Sequence, residues 1–132
     1  MTYLILFVAS AIVFLLLDVV MLKSVLFPLF SDRLGDQLLD EPRMAPAVVF
    51  YVMYILGTLW FVSIPALASG VSSQAFWNGL ILGALAYGTY ELTNFATLKS
   101  WKIEMVLVDL TWGGILTALT AWGGVMITRA LT

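Results

Sequence analysis

Four long apolar stretches, separated by short polar or charged segments, dominate the chain. The first covers residues 3–22 and stops at Lys23. The second, residues 46–69, opens on Pro46, a favourable first-turn residue, and holds no charge. The third covers residues 75–98 and the fourth residues 103–127. As α-helices rising 1.5 Å per residue, all four are long enough to cross a hydrocarbon core of about 30 Å. The pattern predicts an all-α membrane protein, a four-transmembrane-helix up-and-down bundle forming one integral membrane domain over residues 1–132.

The connections set the topology. Residues 69–74 and 99–102 are tight turns, so spans two and three, then three and four, form antiparallel hairpins. The connection between the first two spans is longer. Residues 24–30 are still apolar and leave open a first helix that runs on to Pro28. Phe27, Phe30, Leu34 and Leu38 recur at helical spacing among Asp32, Arg33, Asp36, Asp40, Glu41 and Arg43, which suits either a short interfacial helix or a solvated loop. Pro65 lies in the last turns of span two, where a kink is expected.

Composition agrees with the pattern. With 62% hydrophobic and 11% charged residues and a mean hydropathy of +1.04, the chain is far more apolar than a soluble domain, in which about a quarter of residues are charged. The first stretch lacks a basic leader and a small-residue cleavage site, and so reads as a retained span rather than a signal peptide. Lys23, Arg33, Arg43, Lys99 and Lys102 fall on one side and Arg129 on the other. By the positive-inside rule the five-residue side is cytoplasmic, and in a bacterial inner membrane both termini would face the periplasm. Trp77 and Trp101 fall at span boundaries, where indoles favour the interface.

Charge and residue usage then exclude chemistry. No basic run exists to neutralise phosphates, so nucleic acid is not an expected partner. The chain has no cysteine and no histidine, which removes thiol nucleophiles, disulfides and the usual metal and haem ligands. No Walker loop or dinucleotide fingerprint occurs, and no cofactor is expected.

Three acids stand out inside the apolar stretches: Asp18, Glu91 and Asp109. A carboxylate in hydrocarbon costs roughly 2.5–3.5 kcal/mol on insertion scales, so each needs a partner, a proton or a cavity. Counted inward from the nearest lysine, Asp18 lies about 7 Å, Glu91 about 12 Å and Asp109 about 10 Å deep, all in one half of the bilayer. Helical spacing sets Tyr87, Glu91, Asn94 and Leu98 on one stripe with Tyr90 and Thr97 beside it. Asp109 shares a face with Trp112 and Gly113, and Tyr51, Tyr54 and Thr58 form a stripe on span two. A proton- or ligand-binding site is therefore expected from Glu91, Asp109, Asp18, Asn94, Tyr87, Trp112 and Tyr54, with Glu91 at its centre. Structural duties compete: Asp109 near its helix N-terminus with Lys102 or Lys99 as partner, Asp18 with Lys23, and Asn94 as interhelical glue.

The segment from Tyr90 through Glu91, Thr93, Asn94, Ala96, Thr97, Leu98 and Lys99 to Trp101, with the later Val108, Asp109, Leu110, Thr111, Trp112 and Gly113, resembles a family of small bacterial predicted membrane proteins, domain of unknown function 2177. The resemblance extends to Leu17, Asp18 and Val19 and implies a four-span membrane protein without implying an activity.

Three functional classes stay open. A proton- or cation-coupled transporter or binder of a small, amphipathic solute would use the acids for exchange. A cofactor-free membrane enzyme acting on a lipid or isoprenoid-like substrate would use Glu91 or Asp109 as acid or base, aided by Tyr87, Tyr90 and the Trp112 ring. An accessory or lipid-binding subunit would use the acids to fix packing, and a hard cation held by oxygen ligands is a further variant. Beyond the lipid bilayer, the partners in view are a small-molecule or lipid ligand and a second copy. Gly79 with Gly83, Ala84 with Gly88, and the pairs Gly113-Gly114 and Gly123-Gly124 are small-residue faces suited to a homodimer.

Overall fold

The computed structural model describes residues 1–132. It consists of four helices: α1, Thr2–Gln37; α2, Met44–Ser69; α3, Ser72–Thr97; and α4, Ile103–Leu131. Helices α1, α2 and α4 are long and apolar enough to cross a membrane. Helix α3, with 26 residues and a reach of about 39 Å, is long enough too. It is less apolar than the others because it carries Tyr87, Tyr90, Glu91 and Asn94.

The chain does not stop at Lys23. A π-helical turn at Leu22–Leu26 joins the first span to an α-helical segment at Phe27–Leu34 and a final 3-10 turn at Gly35–Gln37. The interfacial segment expected after span one is thus the continuation of α1. Gly35 has φ +59°, a backbone setting open to glycine, and the α-helical winding gives way there to the 3-10 turn. A second π turn, Leu59–Ser63, lies within α2. Each turn ends two residues before a proline, Pro28 and Pro65. A proline ring clashes with the carbonyl four residues earlier, and the wider π turn lets both helices continue through the clash.

Helix α4 is the central column. It packs along α3 over most of their length and next most closely on α1. Its buried face is largely small or polar: Asp109, Gly113, Gly114, Thr117, Ala118, Thr120, Ala121, Gly124 and Thr128. A methyl group on Gly83 would overlap the Gly113 carbonyl and Thr117. On Gly79 it would lie 2.9 Å from the Thr117 carbonyl oxygen, and on Gly124 it would overlap the Ser10 hydroxyl. Gly79, Gly83 and Gly124 are therefore used within the chain for close helix approach. The outer surface is apolar, with Leu16, Val20, Met53, Trp60, Phe61, Trp77 and Leu85 all exposed, as a bilayer-facing surface requires.

At the end holding both termini, Gly70 adopts the left-handed conformation that closes the α2–α3 hairpin. Arg129 pins that hairpin, donating to the Gly70 carbonyl at 2.9 Å and to Ser72 Oγ at 2.6 Å.

Candidate functional site

The three acids arrive from three helices at the end of the bundle away from the termini. Asp18 is 5% exposed, Asp109 8% and Glu91 fully buried. None forms an ion pair: the salt bridges of the structure are Arg33 with Asp32 and, at 3.7 Å, Arg33 with Glu104. The expected pairings of Asp18 with Lys23 and of Asp109 with Lys99 or Lys102 are thus corrected. The lysines are exposed, and in a helix end that faces water their ammonium groups gain more from solvation than from reaching inward.

Asp18 is satisfied by neutral donors. The Tyr51 hydroxyl donates to Oδ2 at 2.8 Å and the Trp112 indole Nε1 to Oδ1 at 3.3 Å. One carboxylate thereby ties α1, α2 and α4 together. Phe14, at 1% exposure, packs edge-on to Tyr51 with ring centroids 5.4 Å apart, which fixes the donor's ring.

Glu91 has a different setting. Trp101, in the α3–α4 connection, donates its indole N–H to Glu91 Oε1 at 2.8 Å. The Trp101 ring is wedged edge-on between Phe30, at 5.5 Å, and Tyr90, at 5.7 Å. Leu29 and Leu34 complete the packing, so the extension of α1 forms a cap over the connection. Gln37 Nε2 fastens it by donating to Ser100 Oγ at 2.7 Å. Trp101 is only 6% exposed, which corrects the expectation of an interfacial anchor. Its ring finds a dry seat because α1 runs on far enough to cover it.

Asp109, on α4, is a near neighbour of Glu91 across the α3–α4 packing. Glu91 Oε2 is buried with no N–H or O–H of the protein aimed at it. Asp109 also borders a cavity of about 310 Å³ walled by Phe50, Ala86, Tyr87 and Tyr90. The cavity lies between α2 and α3, whose backbones come close only nearer the terminal end of the bundle.

Tyr87 joins the two halves of the site. A side chain at Gly113 would overlap the Tyr87 ring, so that glycine gives the ring its seat on α4. Tyr54 meets Tyr87 edge-on at 5.9 Å and shares a 2.7 Å hydrogen bond with Thr117 Oγ1. Asn94 is half-buried one turn beyond Tyr90, and no bond joins it to the acids. Six of the seven expected residues are thus brought together, in two linked parts: Asp18 with Trp112, and Glu91 with Asp109, bridged by Tyr87 and Tyr54. The acids do not converge on one point: no group of three is placed to hold a metal ion. Trp101, Tyr51 and Phe50 complete the site. Tyr51 was legible from its stripe with Tyr54; Trp101 stood out as a boundary indole and in the family segment, neither of which tied it to Glu91, and Phe50 carried no signal beyond being aromatic.

A family model described as a predicted membrane protein, DUF2177, matches residues 3–126. No curated protein and no solved structure matches the chain.

Proposed function

The chain belongs to the DUF2177 family of predicted membrane proteins, and from that premise we propose that it binds a small amphipathic cation at Asp109 and exchanges it for a proton. The observation that carries this reading is the carboxyl of Asp109, set between a second acid, Glu91, and a cavity walled by aromatic rings. Aromatic faces attract cations, most strongly where water is excluded, and the acid supplies the counter-charge. A volume of about 310 Å³ suits a small ligand, at the lower end of the usual range of pockets. In this reading Asp109 holds a proton while the cavity is empty of cation and releases it as a positive charge arrives. Such exchange is the elementary step of proton-coupled transport across a membrane.

Asp18 has a supporting part here. Its two neutral donors satisfy it without a cation, so it clasps α1, α2 and α4 together beside the exchange site. The lysine and arginine bias supports cytoplasmic placement of the acidic end, in an inner membrane.

The test is binding of benzyltrimethylammonium, a quaternary cation with no proton of its own, to the protein in nanodiscs. Asp109→Asn and Glu91→Gln are expected to weaken binding at least tenfold, or about 1.4 kcal/mol. Equal binding by wild type and Asp109→Asn would overturn the reading.

A further inference from the structure

The acid pair lies at one end of the bundle, and beside Leu116, Ala121 and Val125 the buried face of α4 carries a row of small and polar residues. From Asp109 it continues through Gly113, Thr117, Thr120, Gly124 and Thr128, all buried, at spacings of three and four residues. The row climbs about 28 Å, close to the full hydrocarbon thickness.

Hydroxyls from the other helices meet this row. Tyr54 of α2 is bonded to Thr117, and Ser10 of α1 sits directly over Gly124. Thr58 and Ser63 of α2 are buried further along the same direction.

In an apolar helix a serine or threonine hydroxyl ordinarily donates to the carbonyl four residues back. Thr58, Thr117 and Thr128 do so, at 2.8, 2.8 and 2.7 Å. Ser10, Ser63 and Thr120 do not, and their buried oxygens have no partner in the protein. An unbonded hydroxyl in a dry interior costs about 1–3 kcal/mol, and three in one small bundle is a heavy load. Water bonded to them removes that cost, since each hydroxyl both donates and accepts.

We infer that Thr117, Thr120, Ser10 and Ser63 line a narrow hydrated path along which protons pass between the acid pair and the end of the bundle holding the termini. It rests on the exchange reading only for its purpose, as the route by which the exchanged proton reaches Asp109. Hydroxyls and water hand a proton on by accepting one and releasing another, so no group on the path changes its net charge. Nothing on the path needs to be acidic, and the three buried acids, Asp18, Glu91 and Asp109, all lie at its far end.

The natural absence of cysteine makes a direct test clean. Single cysteines are placed at Ser10, Ser63 and Thr120, and at Ala121 as a fully buried neighbour in the apolar core, in the full chain in lipid vesicles. Aminoethyl methanethiosulfonate is the probe. A thiol must ionise to react and does so only beside water, so the three path positions are expected to react at least about tenfold faster than Ala121→Cys. Reaction no faster than at Ala121→Cys, in variants that still elute as folded protein, overturns the path. In a second arm, Thr120→Val is expected to cut pH-driven proton flux severalfold while benzyltrimethylammonium binding is retained. Unchanged flux overturns the path as well. Reactive path cysteines together with cation binding that ignores Asp109→Asn would sink the exchange reading and leave the path standing.

Discussion

Trp101 bonds an acid ten positions behind it in the chain: its indole Nε1 stands 2.8 Å from Glu91 Oε1. The α3–α4 connection thus folds its own aromatic residue back under the helix end it follows, and the Phe30 ring on α1 closes over it. A buried carboxyl held this way loses its one N–H donor if the indole is removed.

Trp101→Phe keeps an aromatic ring and deletes that donor. It is expected to destabilise the protein by about 1–3 kcal/mol, the cost of an orphaned buried polar group. Glu91→Leu removes the acceptor of the same bond. The double variant should therefore lose less than the sum of the two single losses, measured by thermal unfolding in detergent. Strict additivity would show that the bond carries no coupling.

Tyr51→Phe removes the shorter of the two donors to Asp18. Leaving a buried polar atom short of a partner costs about 1–3 kcal/mol, and a loss of that size is expected in the same unfolding measurement. Binding of benzyltrimethylammonium at Asp109 should survive, because Tyr51 does not wall the cavity. Loss of binding with unchanged stability would place Tyr51 in the ligand site instead.

Two glycine-to-alanine changes should move in opposite directions. At Gly83 the added methyl meets the Gly113 carbonyl and Thr117, and α3 must shift away from α4; about 1–3 kcal/mol of destabilisation is expected. At Gly57 nothing lies within 4 Å, so alanine should be neutral or stabilise α2 by roughly 0.5–1 kcal/mol. Similar losses at both positions would argue against the close α3–α4 contact.

Neutralising Lys23, Lys99 and Lys102 together should change stability by no more than about 0.5 kcal/mol per residue, since none pairs with an acid. The same charges are expected to control orientation. A C-terminal reporter should be active on the non-cytoplasmic side of the wild type, and removing the three lysines should reduce that bias. A reporter active only in the cytoplasm would reverse the assigned topology.

The four helices were legible because their apolar runs are long and their connections carry the charges. The acids were legible because hydrocarbon leaves a carboxylate nowhere neutral to hide, and helical spacing placed Tyr87 on the same stripe as Glu91. Pro28 misled because a proline usually ends or bends a helix, whereas here the π turn at Leu22–Leu26 absorbs it. Trp101 misled for a related reason. Whether an indole near a span boundary meets lipid headgroups or a protein wall depends on where a different helix ends. The lysine pairings failed because sequence distance measures depth along one helix but not which way a side chain leans, and the tyrosine and indole donors of Asp18 come from 33 and 94 positions away.

Helix α1 carries Asp18 and, twelve residues on, Phe30, so about 18 Å of one helix separates the Tyr51–Trp112 clasp from the ring that roofs Trp101. The two carboxyl settings are consequently geared to a single shaft. A slide of α1 along its axis that strains the grip on Asp18 also drags the roof off Glu91, and neither acid can be repositioned without the other feeling the pull.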